Sequence, residues 1–257
     1  MITGDKKITV ECKWSDNLPK SFIDDFISVY QKVFKQSDKN LIDWFDCKFL
    51  RNPMGASLIS IAYLDEKPVG IDAMWRNDIG GKVAYQTVDT GTDEAFRGLG
   101  IFRKITEKEL LILGKDVLIY GFPNPKSFPG YVKFGWKVLG CKRNVIFTGI
   151  ASYEKYYEED ASYEYVRWLF LDSKKKIYYI RKRDQYFLIT PTRSKRIYHI
   201  ISRVDEKTAL LFENKSGVIN IFLMSKLSKR VPQKYMFLPL IATSEDCISV
   251  PFWKLDV

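Results

Sequence analysis

The sequence predicts an α+β protein: a mixed, mostly antiparallel sheet flanked by helices, followed by a smaller strand-rich C-terminal domain. Three observations carry that prediction. Apolar residues recur at helical spacing in two separated segments, near residues 20–34 and 101–113. Three strand-like runs joined by short turns lie between them, over residues 56–92. Beyond residue 160 the chain is a succession of apolar, β-branched and aromatic runs separated by turn signals.

The first helix is expected from Pro19 to Phe34, where Phe22, Phe26, Val29, Tyr30 and Val33 share one face and Asp24 and Asp25 stand in the opening turns. A short helix follows over Trp44–Leu50, stopped at Asn52-Pro53. The strands are Ala56–Leu64, ended by Asp65-Glu66-Lys67-Pro68; Val69–Arg76, ended by Asp78-Ile79-Gly80-Gly81; and Lys82–Thr92. Their short links predict a meander. Arg97-Gly98-Leu99-Gly100 then opens a helix over Ile101–Leu113, closed by Gly114. A short buried strand, Val117–Tyr120, precedes a stretch from Gly121 to Gly130 too rich in Pro and Gly for a regular element. Tyr131–Trp136 leads into a strand over Lys137–Phe147. A linker is read at Tyr153–Asp160, so the two domains are expected at 1–150 and 151–257. The second holds strand-like runs at Ile177–Thr190, Arg196–Val204, Thr208–Phe212 and Val218–Met224. Trp44…Phe49-Leu50 and Tyr165…Phe170-Leu171 share their spacing, each before an apolar strand, as a faint internal repeat would.

Composition narrows the function classes. Of 257 residues, 46% are hydrophobic, 28% charged and 15% aromatic, enough for a sizeable core and too apolar for a disordered chain. The net charge is +10 and is spread over both halves: residues 1–150 hold 22 basic and 18 acidic side chains, and the rest hold 19 and 13. Such a balance favours an anionic partner without choosing among nucleotide cofactors, sugar nucleotides and nucleic acid. No apolar run reaches the length of a membrane span, and the first residues lack the apolar core of a signal peptide. Four separated cysteines, with no C-x-x-C pair, argue against a disulfide framework or a zinc knuckle, and a cytoplasmic location is the simplest expectation. The single histidine, His199, excludes any site needing two.

Two motifs carry chemistry. Amides that open a helix point outward unsatisfied, and the helix dipole adds partial positive charge. An anion can sit on them only where side chains stay clear, which gives Gly98 and Gly100 a reason to be glycine, with Arg97, Arg103 and Lys104 adding charge. A tight strand-to-helix turn that binds nothing would look the same. No Gly-Lys-Ser/Thr follows, so this is not a P-loop. The third glycine and the βαβ context of a dinucleotide fingerprint are also missing. The second motif is Asn124, then Tyr131 seven residues on, then Gly135-Trp136; by themselves the aromatics read equally well as anchors of a surface loop.

Together the two motifs resemble the GNAT (Gcn5-related N-acetyltransferase) superfamily. Arg97-Gly98-Leu99-Gly100-Ile101-Phe102 is similar to its Arg/Gln-x-x-Gly-x-Gly/Ala diphosphate signature in all but the last place, where Phe102 replaces a small residue. Asn124, Tyr131, Gly135 and Trp136 are similar to its Asn-x6-Tyr-x3-Gly-Phe block, with Trp for Phe. The resemblance covers about residues 20–147, and the runs Asp89-Thr90-Gly91-Thr92 and Gly121-Phe122-Pro123-Asn124 look like longer bacterial members with a second GNAT-like half. It implies an acetyl-CoA-dependent N-acetyltransferase. The diphosphate would lie on the amides from Gly98 to Phe102, flanked by Arg97 and Arg103. The pantetheine arm would run along Thr90, Gly91 and Thr92, with Asn124 and Ser127 on its other side. Tyr131 would be the general acid for the leaving thiolate, and Asp89 a base acting through water, although Asp89 reads more simply as a turn or cap residue; Gln86 is the other polar side chain on that strand. The implied acceptor is a small primary amine, with an amino sugar or sugar nucleotide among the classes, and the strand-rich half would help bind it. Two alternatives keep the fold: a tandem GNAT-like transferase using aminoacyl-tRNA, against which no long helical hairpin is seen, and a non-catalytic nucleotide- or RNA-binding module. The basic runs Lys174-Lys175-Lys176 and Arg181-Lys182-Arg183 read as solvated faces or as contacts to an anionic acceptor, and His199 is given no role.

Overall fold

The structure is a computed structural model and describes residues 7–37, 40–79, 82–148, 161–171, 176–192, 197–215, 221–228 and 239–242. The chain divides into two compact units, the first comprising Met1–Asp78, Lys82–Gly121 and Lys133–Gly135, the second Ile79–Gly81, Phe122–Val132 and Trp136–Val257.

In the first unit the strands are β1 (Ile8–Trp14), β2 (Leu58–Leu64), β3 (Lys67–Arg76), β4 (Ala84–Thr92) and β5 (Leu118–Gly121), hydrogen-bonded in that order. The first four are antiparallel neighbours, and β5 runs parallel to β4. Asp65 and Glu66, both at positive φ (49° and 67°), form the two-residue link of the β2–β3 hairpin, the conformation that matches strand twist. β2 and β3 are buried on both faces because helices cover both. On one face α1 (Lys20–Phe34) packs against β3 and β4, with Phe22, Phe26 and Val29 buried. It is joined there by α2 (Leu41–Phe45), which continues as one π-helical turn over Asp46–Leu50. Phe26, Phe45 and Phe49 meet with ring centroids 4.9–6.1 Å apart. On the other face α3 (Ile101–Leu113) packs against β1, β2 and β3, and Ile101 and Ile105 join Ala62, Leu64 and Val69 in one cluster.

Close approach explains two glycines. A Cβ on Gly70 would stand 2.5 Å from Ile101 Cγ2, so β3 is bare where the first turn of α3 comes down on it. The same construction on Gly121 meets Thr87 Cγ2 at 2.4 Å, which lets β5 close onto β4.

The second unit contains α4 (Phe128–Lys133, its last residue in the first unit), β6 (Lys137–Thr148), α5 (Tyr163–Val166) with a π-helical turn at Arg167–Leu171, β7 (Tyr178–Lys182), β8 (Gln185–Pro191), β9 (Ile197–Val204), α6 (Glu206–Ala209), β10 (Glu213–Asn214), β11 (Ile221–Ser228) and β12 (Pro239–Ala242). Among the described residues its strands follow the order β12-β6-β11-β9-β8-β7-β10. β7, β8 and β9 form an antiparallel meander, and β11 is parallel to β9. The first unit has the same order: an α turn running into a π turn, a three-strand meander, then a parallel strand. The spacing shared by Trp44…Leu50 and Tyr165…Leu171 therefore falls on equivalent elements.

Three expectations need correction, and one strand is added to them. β1 was not read from the sequence. The run Ile177–Thr190 is a hairpin instead of one strand, turned at Arg183 (φ 54°). Thr208–Phe212 is not a strand: the Asp205 carboxylate accepts the Thr208 N–H at 2.7 Å and starts α6. The Pro/Gly-rich segment ends in α4, because Asn124 Oδ1 accepts the N–H groups of Lys126 and Ser127 (2.9 and 3.0 Å) and turns the chain into a helix that tolerates Pro129 near its start. The linker at Tyr153–Asp160 lies outside the described residues.

Candidate active site

The glycine turn sits where β4 hands over to α3. Asp93 accepts the Ala95 N–H and starts a 3₁₀ turn over Glu94–Phe96, after which Arg97 is extended. Gly98 and Gly100 follow at φ 84° and 75°, in the left-handed region where a side chain is strained. A Cβ at either would meet nothing within 4 Å. Neither glycine is therefore demanded by packing; the backbone conformation and the open space around it account for both. Gly100 is the N-cap of α3 and no side chain caps the helix, so the partial positive charge at this end faces open space. Arg97, Gly98, Leu99 and Gly100 are exposed, while Ile101 is buried as the anchor of the turn. Arg97 pairs with Glu94 (3.1 Å) and Arg103 with Glu107 (2.7 Å), exposed contacts that an incoming anion can exchange cheaply. Phe102 is half-buried and turns aside onto Phe134, edge to face at 5.8 Å. The large residue in the small-residue place is thus packed against protein.

β4 is irregular just before this turn. Its parallel ladder with β5 runs from Ala84↔Leu118 to Thr87↔Gly121, and Val88–Thr92 continue beyond it. Against β3, Ala73 faces Val88 and Ile71 faces Gly91, so Asp72 stands opposite two residues, Asp89 and Thr90. Asp89 takes the left-handed conformation (φ 54°) that Asp tolerates better than most residues. The bulge is held from beneath by the fully buried Asp72. Its Oδ1 accepts from Thr90 Oγ1 (2.8 Å), Thr87 Oγ1 (3.3 Å) and the Ala73 N–H (2.8 Å). The Thr90 hydroxyl is thus turned inward, leaving the backbone as the strand's outward chemistry. Gly91 is bare because α1 lies over it.

Asp72 is not alone. Glu109 of α3 is also fully buried, beside Asp72 and Ser60. Burial raises both carboxyls, Asp72 to about 6 despite its hydrogen bonds and Glu109 well above the ordinary range, with Asp72's charge raising Glu109 further. The pair is protonated more readily than ordinary acids, and it lies beneath the bulge.

Asp89 points the other way, to Lys48 of the π turn, whose Nζ lies 2.9 Å from Asp89 Oδ2. Sequence reasoning missed Lys48, Asp72 and Glu109. A lone carboxylate in the apolar run Val69–Trp75, and Glu109 four residues after buried Ile105, were the available signals for the last two.

Asn124, Ser127 and Tyr131 belong to the second unit, whereas Asp89–Arg103 belong to the first. Asn124 is exposed, with its carbonyl oxygen occupied by the turn already described, and the Ser127 hydroxyl donates to the Asn124 backbone carbonyl at 3.3 Å. Tyr131 is 1% exposed and packs against Trp136, centroids 4.8 Å apart. Gln86 is buried and accepts from Asn77 Nδ2 at 3.0 Å. In the second unit the place after β9 that corresponds to the glycine turn holds the Asp205 cap, so a carboxylate occupies that helix start.

Against protein-family models and against curated proteins the sequence finds no match. Solved structures do match over nearly the whole chain. A conserved protein of unknown function from Enterococcus faecalis V583, described as a probable N-acyltransferase, is similar with a TM-score of 0.60 at 13% identity, over 91% of this chain and 72% of its own. A GCN5-related N-acetyltransferase from Kribbella flavida gives 0.58 at 11% identity, over 91% and 71%. One from Anabaena variabilis gives 0.55 at 12%, over 90% and 72%. The chain therefore has the fold of the GCN5-related N-acetyltransferases, and the likeness extends through the strand-rich second half.

Proposed function

We propose that the protein transfers an acyl group from acyl-CoA to a primary amine, with acetyl-CoA as the donor. The observation that carries this reading is the glycine turn: two left-handed glycines with empty space where side chains would stand, opening an uncapped helix directly after a strand that outruns its parallel partner. A diphosphate fits such an end, and a thioester arm fits the stretch Asp89–Thr92, where β4 runs on past its ladder with β5.

The step is balanced without redox chemistry. The ammonium gives one proton to a base; its nitrogen attacks the thioester carbonyl carbon as the C–N bond forms. The C–S bond then breaks, the sulfur leaves as thiolate, and it takes the proton shed by the attacking nitrogen. An N–H of the bulged strand would polarise the carbonyl, Asp89 would take the first proton directly or through water, and Tyr131 would relay the second, donating its own proton to the thiolate and regaining one from the attacking nitrogen. Asn124 and Ser127 would hold the arm. Because Asp205 fills the equivalent helix start of the second unit, donor binding rests with the first. An amino sugar, free or nucleotide-linked, is one acceptor class consistent with the charge of +10, and the reaction belongs in a reducing compartment such as the cytoplasm. The experiment is thiol release from acetyl-CoA across a panel of amines. Acceptor-dependent release supports the reading, and donor hydrolysis no faster than buffer with every amine refutes it.

A further inference from the structure

The Lys48–Asp89 pair is unusual for its surroundings. Side-chain exposures are 21% and 14%, so both charges are largely out of water. The Lys48 ammonium lies 5.3, 5.4 and 5.7 Å from the ring centroids of Trp44, Phe49 and Trp75. Tyr30 lies tilted against Trp44, ring centroids 4.5 Å apart, and its phenol is pushed up to about 12 by burial and by the Asp89 carboxylate. Tyr30, Trp44, Lys48 and Asp89–Thr92 all keep partial exposure. An ion pair this desolvated gains little over an apolar pair of the same size. The pair lies next to the stretch of β4 that the proposed function gives to the thioester arm.

Charge balance then decides what can enter. A neutral-bodied amine placed on Asp89 as its ammonium would displace Lys48 and leave a cation uncompensated among aromatic rings. Loss of a partner from a buried charge is costly. An acceptor that carries an anionic group close to its ammonium leaves nothing uncompensated: its ammonium takes Asp89 and its anion takes Lys48. We propose that Lys48 and Asp89 form the acceptor subsite and that the acceptor is a primary amine bearing a carboxylate or phosphate near the nitrogen. This rests on the acyl-CoA reading above. Lys48 here is a specificity residue, and Asp89 receives the proton as already described.

The test compares kcat/KM with acetyl-CoA for two α-amino acids, a hexosamine phosphate, the parent hexosamine and a neutral alkylamine. The wild-type protein is expected to prefer anion-bearing amines by about tenfold or more, the worth of one charge-assisted contact. Lys48→Met is expected to abolish that preference, and Lys48→Arg to retain it. Amino acids and the sugar phosphate separate the carboxylate from the phosphate source. Equal use of neutral and anion-bearing amines by the wild type, or an unchanged ratio in Lys48→Met, overturns the inference while leaving the donor reading in place. If acetyl-CoA proves not to bind at all, the donor reading fails. The subsite is then read from the unfolding midpoint with each amine alone: a rise with anion-bearing amines that Lys48→Met removes supports it, and no rise overturns it.

Discussion

Val33 of α1 closes over Gly91 of β4 so tightly that a Cβ on Gly91 would stand 2.4 Å from Val33 Cγ1. Helix and strand edge meet there without room for a methyl group, next to the bulge at Asp89. Gly91→Ala is therefore expected to destabilise the fold by about 1–3 kcal/mol, the usual cost of overpacking. Val33→Ala in the same chain should restore part of the loss. Urea unfolding of the two single variants and the double variant measures the coupling. Strictly additive losses would mean that the contact does not govern the position.

The Asp72–Glu109 pair gives stability a definite pH slope. Both carboxyls are raised in the folded state, by burial first, and return to about 4 on unfolding. The native state thus holds more protons between those values. Its contribution to stability is present below about pH 4 and is lost as pH rises through the raised folded values. Glu109→Gln removes one of the two charges from the interior. The variant is expected to lose much of the decline between pH 5 and 8, and to be more stable than wild type by about 1–3 kcal/mol at pH 8. Denaturation midpoints of both proteins at the two pH values check this. Parallel slopes would show that the pair does not titrate in this range.

Tyr131 is buried against Trp136, a position that suits a phenol kept from bulk water as well as one that only packs. Tyr131→Phe keeps the ring and removes the proton. With the acid role, kcat should fall by about tenfold or more while the unfolding midpoint stays within a few degrees. An unchanged kcat assigns the tyrosine to packing alone.

How far the sequence spoke depended on whether the deciding physics was local. The helix at Ile101–Leu113 has the bounds its apolar spacing and Gly114 predicted, and the left-handed turn at Gly98 and Gly100 is where the glycines placed it. The meander and its hairpin turns were equally legible because turn residues act on their own neighbours. β1 escaped notice because it is a half-exposed edge strand interrupted by Glu11 and Lys13. Thr208–Phe212 has strand composition, but the Asp205 cap and the complete burial of Thr208 and Ala209 win locally. Lys48 was invisible for a different reason. Its partner is 41 residues away, and only the packing of the π turn onto the bulged strand brings them together. Asp72 and Glu109 face each other across sheet and helix, a pairing that no single run of residues encodes.

Under the acyl-CoA proposal the open glycine turn seats the CoA diphosphate, and thermal unfolding with and without acetyl-CoA reads that seat. A ligand bound only to the native state at a hundred times its dissociation constant adds about 2.7 kcal/mol, so the midpoint of the wild-type protein should rise by several degrees. Gly100→Val, whose side chain would enter the cradle, should unfold at a somewhat lower temperature and show no rise with the ligand. A wild-type midpoint unmoved by millimolar acetyl-CoA, or an equal rise in Gly100→Val, would contradict it.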